Sequence, residues 1–378
     1  MGKLIPFNMP YVPEASKKYV LEALESNHQQ GDGPFTAKAS KMVSDLVGGG
    51  HVLLTPSCTH ALEMASMLAN IGPGDEVILP SYTFTSAATA VTKFGATPVF
   101  VDIEMASKGI NVNQVRDVIS PKTKAISWVN YAGVAPNIEG LQSLAREFNL
   151  LLIEDNAHGL GGSYKGKPLG SFGDFATQSF HATKNIQCGE GGALVINITK
   201  FIDRAEIIRE KGTDRSKFIR GEIEKYQWVD QGSSYLLAES LAAILVGSLE
   251  HFTEIQESRQ QISNTYSNML YDWGRTNGFD LQVQIKTETN PAHMFYLVSQ
   301  SSHARDVLIR YLNKHGIQAM FHYQSLADSK QGKVFNRTGS TLINSQGMSN
   351  LLLRLPIYPD LTEEKQSFIL EKLLEYCP

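Results

Sequence analysis

Between His51 and Asp155 short apolar runs alternate with amphipathic stretches, and this alternation restricts the fold more than any other feature of the chain. His51 to Thr55 is followed by a helical pattern through Asn70, and Glu76 to Leu79 by one from Ser86 to Phe94. Pro98 to Asp102 precedes a helical pattern over Val112 to Ile119; Ala125 to Val129 precedes Ile138 to Phe148, which leads into the run Leu150 to Asp155. Near-continuous apolar strands separated by helices predict an α/β domain built on a mostly parallel sheet. Ligands of such sheets collect at the carboxyl ends of the strands. That rule marks Ser57 to Thr59, Ser81 to Phe84, Asp155 to His158 and Lys184 as mouth positions.

Two helices are expected before the alternation, Pro13 to Ser26 and Thr36 to Val47, the second stopped by Gly48-Gly49-Gly50. The turn-rich segment Gly31 to Thr36 between them reads equally as a connector or as a loop facing a substrate. Beyond Gly192 the pattern changes to a charged helix, Ile202 to Lys211, and then to a polar stretch, Gly212 to Gly232, too long for an idle connector. A long helix over Leu236 to Asp272 is expected to bridge into a smaller α+β domain. Its parts are a strand at Met294 to Val298 and helices at Arg305 to Lys314 and Glu363 to Glu375. The division expected is residues 1–250 and 251–378.

Bulk composition sets the context. A net charge of −4 over 378 residues gives no electrostatic footprint for nucleic acid or a membrane surface. Cys58, Cys188 and Cys377 form no CxxC pair, so neither a disulfide framework nor a zinc site is indicated. With no apolar run of membrane-spanning length and no secretory leader pattern at Met1, the expected compartment is the cytoplasm.

The chemistry centres on Gln178 to Gly192, where a hydroxyl-rich segment carries Lys184 and then breaks into glycines. A lysine there can project into a cleft, and its amine can condense with an aldehyde. Ser57 and Thr59 stand where a helix begins, as N-caps or, with the amides of that turn including Cys58, as a phosphate cradle. Asp155 ends an apolar strand and needs a partner: the ring nitrogen of a cofactor, a helix cap or a metal. Phe84 packs in the core or stacks on a flat ring. His158 suits a structural role as well as a ligand contact, and Ser179 lies close enough to Lys184 to serve the same ligand.

Phosphate turn, aromatic, aspartate, serine and lysine, in that order, resemble the DegT/DnrJ/EryC1/StrS sugar aminotransferases, which use pyridoxal 5′-phosphate (PLP). The segments that carry the resemblance are Thr55-Pro-Ser-Cys-Thr59, Pro73-Gly-Asp-Glu-Val-Ile78, Pro80-Ser-Tyr-Thr-Phe84, Ile153-Glu-Asp-Asn-Ala-His158, Ser179-Phe-His-Ala-Thr-Lys-Asn185 and Gly189-Glu-Gly-Gly192. Together they span most of the chain. The nearest branch is the one that aminates C4 of dTDP-4-dehydro-6-deoxy-D-glucose. That closer match rests on Gly31 to Thr36, Leu53 to Thr59, Tyr131 to Ala135, Phe218 to Gly221, Gly232 to Tyr235 and Ala292 to Tyr296.

The resemblance implies an aspartate-aminotransferase-like fold and a homodimer whose active sites are shared between subunits. It implies PLP on Lys184, with Ser57, Cys58, Thr59, Phe84, Asp155, His158, Ser179 and Ser234 as cofactor contacts. Ser234 stands where many members carry an asparagine that reaches across the dimer. Substrate contacts fall to Asp32, Phe35, Lys225, Tyr226 and His322, with L-glutamate as donor and a dTDP-sugar as acceptor. A galacto-configured product is expected, with the gluco epimer as the nearest rival. Related dehydratases carry histidine in place of the lysine, and a non-catalytic sensor would be expected to lose Lys184 or Asp155; both are present here. A nicotinamide dehydrogenase is disfavoured because Gly48-Gly49-Gly50 precedes the first strand instead of following it.

Overall fold

The computed structural model describes residues 4–282, 289–335, 337 and 341–377. The alternating region forms strands β1 (His51–Thr55), β2 (Glu76–Pro80), β3 (Thr97–Val101), β4 (Thr123–Val129) and β5 (Leu151–Asp155). A two-stranded hairpin, β6 (Ser163–Tyr164) and β7 (Lys167–Pro168), precedes β8 (Phe175–Ser179) and β9 (Gly192–Ile196). Seven of these make one sheet in the order β1-β9-β8-β5-β4-β2-β3. Strands β2, β3, β4, β5 and β8 pair in parallel, and β9 runs antiparallel to both β8 and β1. The reversal has a simple cause: residues 180–191 join β8 to β9 as a hairpin, and a short return permits only antiparallel pairing.

Period-two alternation drives both faces into cores. Val77 and Leu79 share one apolar cluster with helix Cys58–Leu68, whereas Ile78 points into another beneath helices Val112–Val118 and Ile138–Phe148. Leu53 and Leu194 join the first cluster. Val52, Leu54 and Val195 pack on the opposite face against helices Pro34–Leu46 and Glu239–Glu250. Truncating such a residue, as in Leu194→Ala, costs about 2–5 kcal/mol.

The bridging helix expected over Leu236 to Asp272 is two helices, Glu239–Glu250 and Phe252–Asn277. They meet at His251, whose backbone leaves the helical region (φ −98°, ψ 18°) and whose Nδ1 bonds Gly247 O at 2.9 Å. The first helix packs with the large sheet through Ala242, Leu245 and Val246, the second with the small one through Ile262, Tyr266 and Leu270. We propose that bend as the domain boundary. The small sheet comprises β10 (Phe279–Leu281), β11 (Phe295–Ser299), β12 (Met320–Phe321) and β13 (Leu352–Leu355), antiparallel in the order β10-β11-β13-β12. The N-terminal stretch crosses to this domain, where Ile5 pairs with Ile317 and Phe7 N donates to Gln318 Oε1. Among the described residues no helix is long and apolar enough to cross a membrane.

Candidate active site

The carboxyl ends of β1, β5 and β8 open on a cavity of about 560 Å³, which β12 and β13 of the small domain close from the other side. Ser57, Cys58, Thr59, Phe84, Asp155, His158, Ser179, Lys184 and His322 all line it. Ser57 caps helix Cys58–Leu68 by accepting from His60 N at 3.2 Å, so the N-cap role is real. The helix start also puts the Cys58 and Thr59 positions on the cavity wall, where an oxyanion is favoured. Ser179 closes β8 opposite Gly192, and a Cβ on Gly192 would lie 2.4 Å from Cys58 N. Only glycine lets β9 approach the cradle this closely.

Phe84 is 54% exposed despite its size, which leaves its ring free to cover a flat ligand. Asp155 is buried, and Ala157 N–H donates to its Oδ1 at 3.1 Å. Burial raises the pKa of its carboxyl, while the Ala157 amide and Lys184 oppose the rise. Among the described residues no three His, Cys, Asp or Glu side chains could hold a metal together, so Asp155 lacks the co-ligands of a metal site.

Lys184 lies in a turn closed by its own N–H to His181 O at 2.9 Å. Its side chain keeps some surface open to the cavity while the protein packed around it withholds bulk water. Burial lowers the pKa of the amine to about 8, with Cys58 and Asp155 pulling it back up. An amine so tuned is both a nucleophile for an aldehyde and a proton carrier near neutral pH. His158 is held neutral by burial, with Lys184 and Arg354 adding to the effect. It stacks on His293 at 4.4 Å.

Five expected contacts lie outside this chain's cavity. Asp32 ion-pairs with Arg209, and Phe35 packs on Tyr19 with ring centroids 5.5 Å apart. Lys225 and Tyr226 are exposed on the polar stretch 212–232, and exposed Ser234 forms a β-bridge with Glu210. The loop bearing Asp32 is fixed from below by Glu239, whose carboxylate accepts from the amides of Gly33, Phe35 and Thr36.

The sequence reading missed several cavity residues, among them Ser86, Arg259, His293, Tyr323 and Arg354. Two carried a visible signal. Arg259 interrupts the buried stripe Ile255, Ile262, Tyr266, and Arg354 interrupts the apolar run Leu351 to Leu355. Arg259 is 1% exposed and donates to Ala292 O and His293 O at 3.1 and 2.6 Å. A charge inside an apolar pattern calls for a partner or a ligand.

The family model described as the DegT/DnrJ/EryC1/StrS aminotransferase family matches residues 10–374. A pleiotropic regulatory protein from Geobacillus stearothermophilus is 32% identical over 320 residues, covering 84% of this chain and 82% of its own. A DegT DnrJ EryC1 StrS aminotransferase from Brucella abortus superposes with a TM-score of 0.86 at 27% identity, covering 95% of this chain and 94% of that one. Spr1654 from Streptococcus pneumoniae, in its PLP-form, does so with a TM-score of 0.88 at 25% identity over 98% and 97%. The chain therefore belongs to the DegT/DnrJ/EryC1/StrS aminotransferase family and is a PLP-dependent sugar aminotransferase.

Proposed function

We propose that this enzyme transfers the amino group of L-glutamate to C4 of dTDP-4-dehydro-6-deoxy-D-glucose. The product is dTDP-4-amino-4,6-dideoxy-D-galactose, a precursor for surface polysaccharide such as O-antigen or enterobacterial common antigen, made in the cytoplasm. The observation that carries the transamination is the Lys184 amine, its pKa lowered to about 8, in one cavity with the buried carboxylate of Asp155. The choice of sugar and carbon rests on the segments Gly31 to Thr36, Tyr131 to Ala135 and Ala292 to Tyr296.

The residues fit the cofactor. Ser57, Thr59, Ser179 and the first-turn amides of helix Cys58–Leu68 would hold its phosphate, Phe84 would cover its ring and Asp155 would face its ring nitrogen. When bound, PLP supplies an electron-accepting ring that carries nitrogen between the two substrates. Lys184 Nζ takes the proton from the α-carbon of glutamate and later delivers one to C4 of the sugar. The carboxylate of Asp155, at the ring nitrogen, would favour its protonated form. His158, neutral and clamped between Tyr323 and His293, shapes the wall beside them.

We also infer a homodimer with shared sites. Support comes from Lys225 and Tyr226, on a stretch that exposes Ile219 and Trp228, the latter by 80%, and from Ser234 just after it; all three lie outside their own cavity. In the dimer they serve the partner's cavity. NMR of the product from dTDP-4-dehydro-6-deoxy-D-glucose and glutamate tests the reaction. An axial C4 amine is expected; an equatorial one makes the product gluco-configured, and no amination overturns the proposal.

A further inference from the structure

His322 presents one ring edge to the cavity, and its other edge is tied to a buried pair of tyrosines. Tyr131 Oη lies 2.7 Å from His322 Nδ1 and 3.4 Å from Tyr82 Oη, and both tyrosines are fully buried. The direction of the protons in this chain can be worked out from its far end. Among the described residues, the acceptor within reach of the Tyr82 hydroxyl proton is Tyr131 Oη. Tyr82 therefore donates to Tyr131, Tyr131 donates to His322 Nδ1, and the proton of the neutral imidazole is left on Nε2. The opposite order would strand the Tyr82 hydroxyl proton in the core with no acceptor, which folded proteins avoid. Burial and the nearby charge of Arg354 hold the ring neutral. Its plane is fixed by stacking on Tyr323 at 3.7 Å.

We propose that Tyr131 is a positioning residue that locks His322 as an Nε2–H donor, and that this donor binds a substrate oxygen in the Lys184 cavity. The ligand chemistry is an acceptor oxygen, carboxylate or carbonyl. An N–H fixed as a donor repels an ammonium group and orients an oxygen at no cost of tautomer exchange. Two substrates can supply such an oxygen: the amino donor through a carboxylate, and the keto sugar through its carbonyl or ring substituents. The identities of those substrates rest on the proposed function; the tautomer does not.

Two measurements on the holoenzyme test the inference. Long-range ¹H–¹⁵N spectra of protein labelled with ¹⁵N-histidine report the tautomer, the His322 signal being assigned by its loss in His322→Gln. The expected result is a neutral Nε2–H ring in the wild type and a mixed or Nδ1–H ring in Tyr131→Phe. A wild-type Nδ1–H or doubly protonated ring overturns the proposal, whether or not Tyr131→Phe folds. The two half-reactions are then followed separately by cofactor absorbance. Tyr131→Phe should raise the apparent KM for one substrate about three- to tenfold, the worth of one neutral hydrogen bond, with a smaller change in kcat. An effect confined to glutamate assigns the oxygen to a carboxylate, and one confined to the nucleotide sugar assigns it to the sugar. Unchanged KM for both overturns the binding role. If the wild type fails to react with glutamate or the sugar, the proposed function falls while the tautomer result stands.

Discussion

His293 Nδ1 donates to Asn185 Oδ1 at 2.9 Å, joining the residue that follows Lys184 to the segment that leads into β11 of the small sheet. The same amide donates through Nδ2 to Pro291 O at 2.6 Å and to Gln256 Oε1 at 3.0 Å. Three partners on two segments thus fix the backbone that carries the lysine. Asn185→Ala leaves a buried imidazole N–H and a carbonyl without partners, a loss of about 2–3 kcal/mol. We expect a lower urea midpoint and slower half-reactions, with the cofactor still bound. An unchanged midpoint would mean that the loop is held by other contacts.

The lowered pKa of the Lys184 amine has a sign that can be checked. A neutral amine is what reacts with an aldehyde, so reconstitution of the apoenzyme with PLP should speed up as pH rises through about 8 and then level off. An unperturbed lysine would keep gaining up to about 10.4. Asp155 favours the ammonium form, so Asp155→Asn should move this midpoint to lower pH. Stopped-flow absorbance across pH 6–10 measures both.

Asp155→Asn should also retain cofactor binding while slowing transamination. Losing a charge preorganised at the ring nitrogen raises the barrier by about 3 kcal/mol, on the order of a hundredfold in rate. Single-turnover rates at saturating glutamate decide the point, and a near-wild-type rate would assign Asp155 a different job.

Gly192→Ala places a Cβ 2.4 Å from Cys58 N and Ser57 C, both backbone atoms that cannot swing away. The cradle must shift, at a cost of about 1–3 kcal/mol. Equilibrium dialysis should show PLP affinity weakened by about tenfold or more; unchanged affinity would remove Ser57 to Thr59 from the phosphate site.

Some of this architecture was legible from residues alone. Val77, Ile78 and Leu79 are apolar in succession because both faces of the sheet are covered, and that pattern needs no partner chain to interpret. The sequence pattern marks Lys184 and Asp155 as mouth positions, and both line the cavity. The carboxylate stands out because it ends a buried apolar strand. The lysine does so only in company with the other motifs, since a lysine before a glycine turn is by itself an ordinary surface residue. The bend at His251 was not legible, since no proline or glycine marks it and tertiary packing of two separate cores imposes it. Helix Ile343–Leu351 also went unread because its moderately polar sequence has only Ser345 and Met348 buried. Lys225, Tyr226 and Ser234 mark a different limit: they are exposed and line no cavity of their own chain, so their proposed role in a second subunit's site rests on the resemblance and not on their packing.

The proposed sharing of sites between subunits has its own test. Lys184→Ala retains an intact 212–232 stretch, and a chain altered at Lys225 and Tyr226 retains Lys184. Verified mixed dimers of these two inactive variants should recover activity, because one site in each has both parts. No recovery in folded mixed dimers would place each complete site within one subunit.

Borohydride reduction of the holoenzyme followed by peptide mapping reads out whether Lys184 carries the cofactor. Reduction makes the lysine–cofactor link permanent, so a single PLP-bearing peptide containing Lys184 is expected. Lys184→Ala protein should lack the yellow colour and remain unlabelled. A label on any other lysine, or none after PLP is added to the wild type, would contradict that assignment.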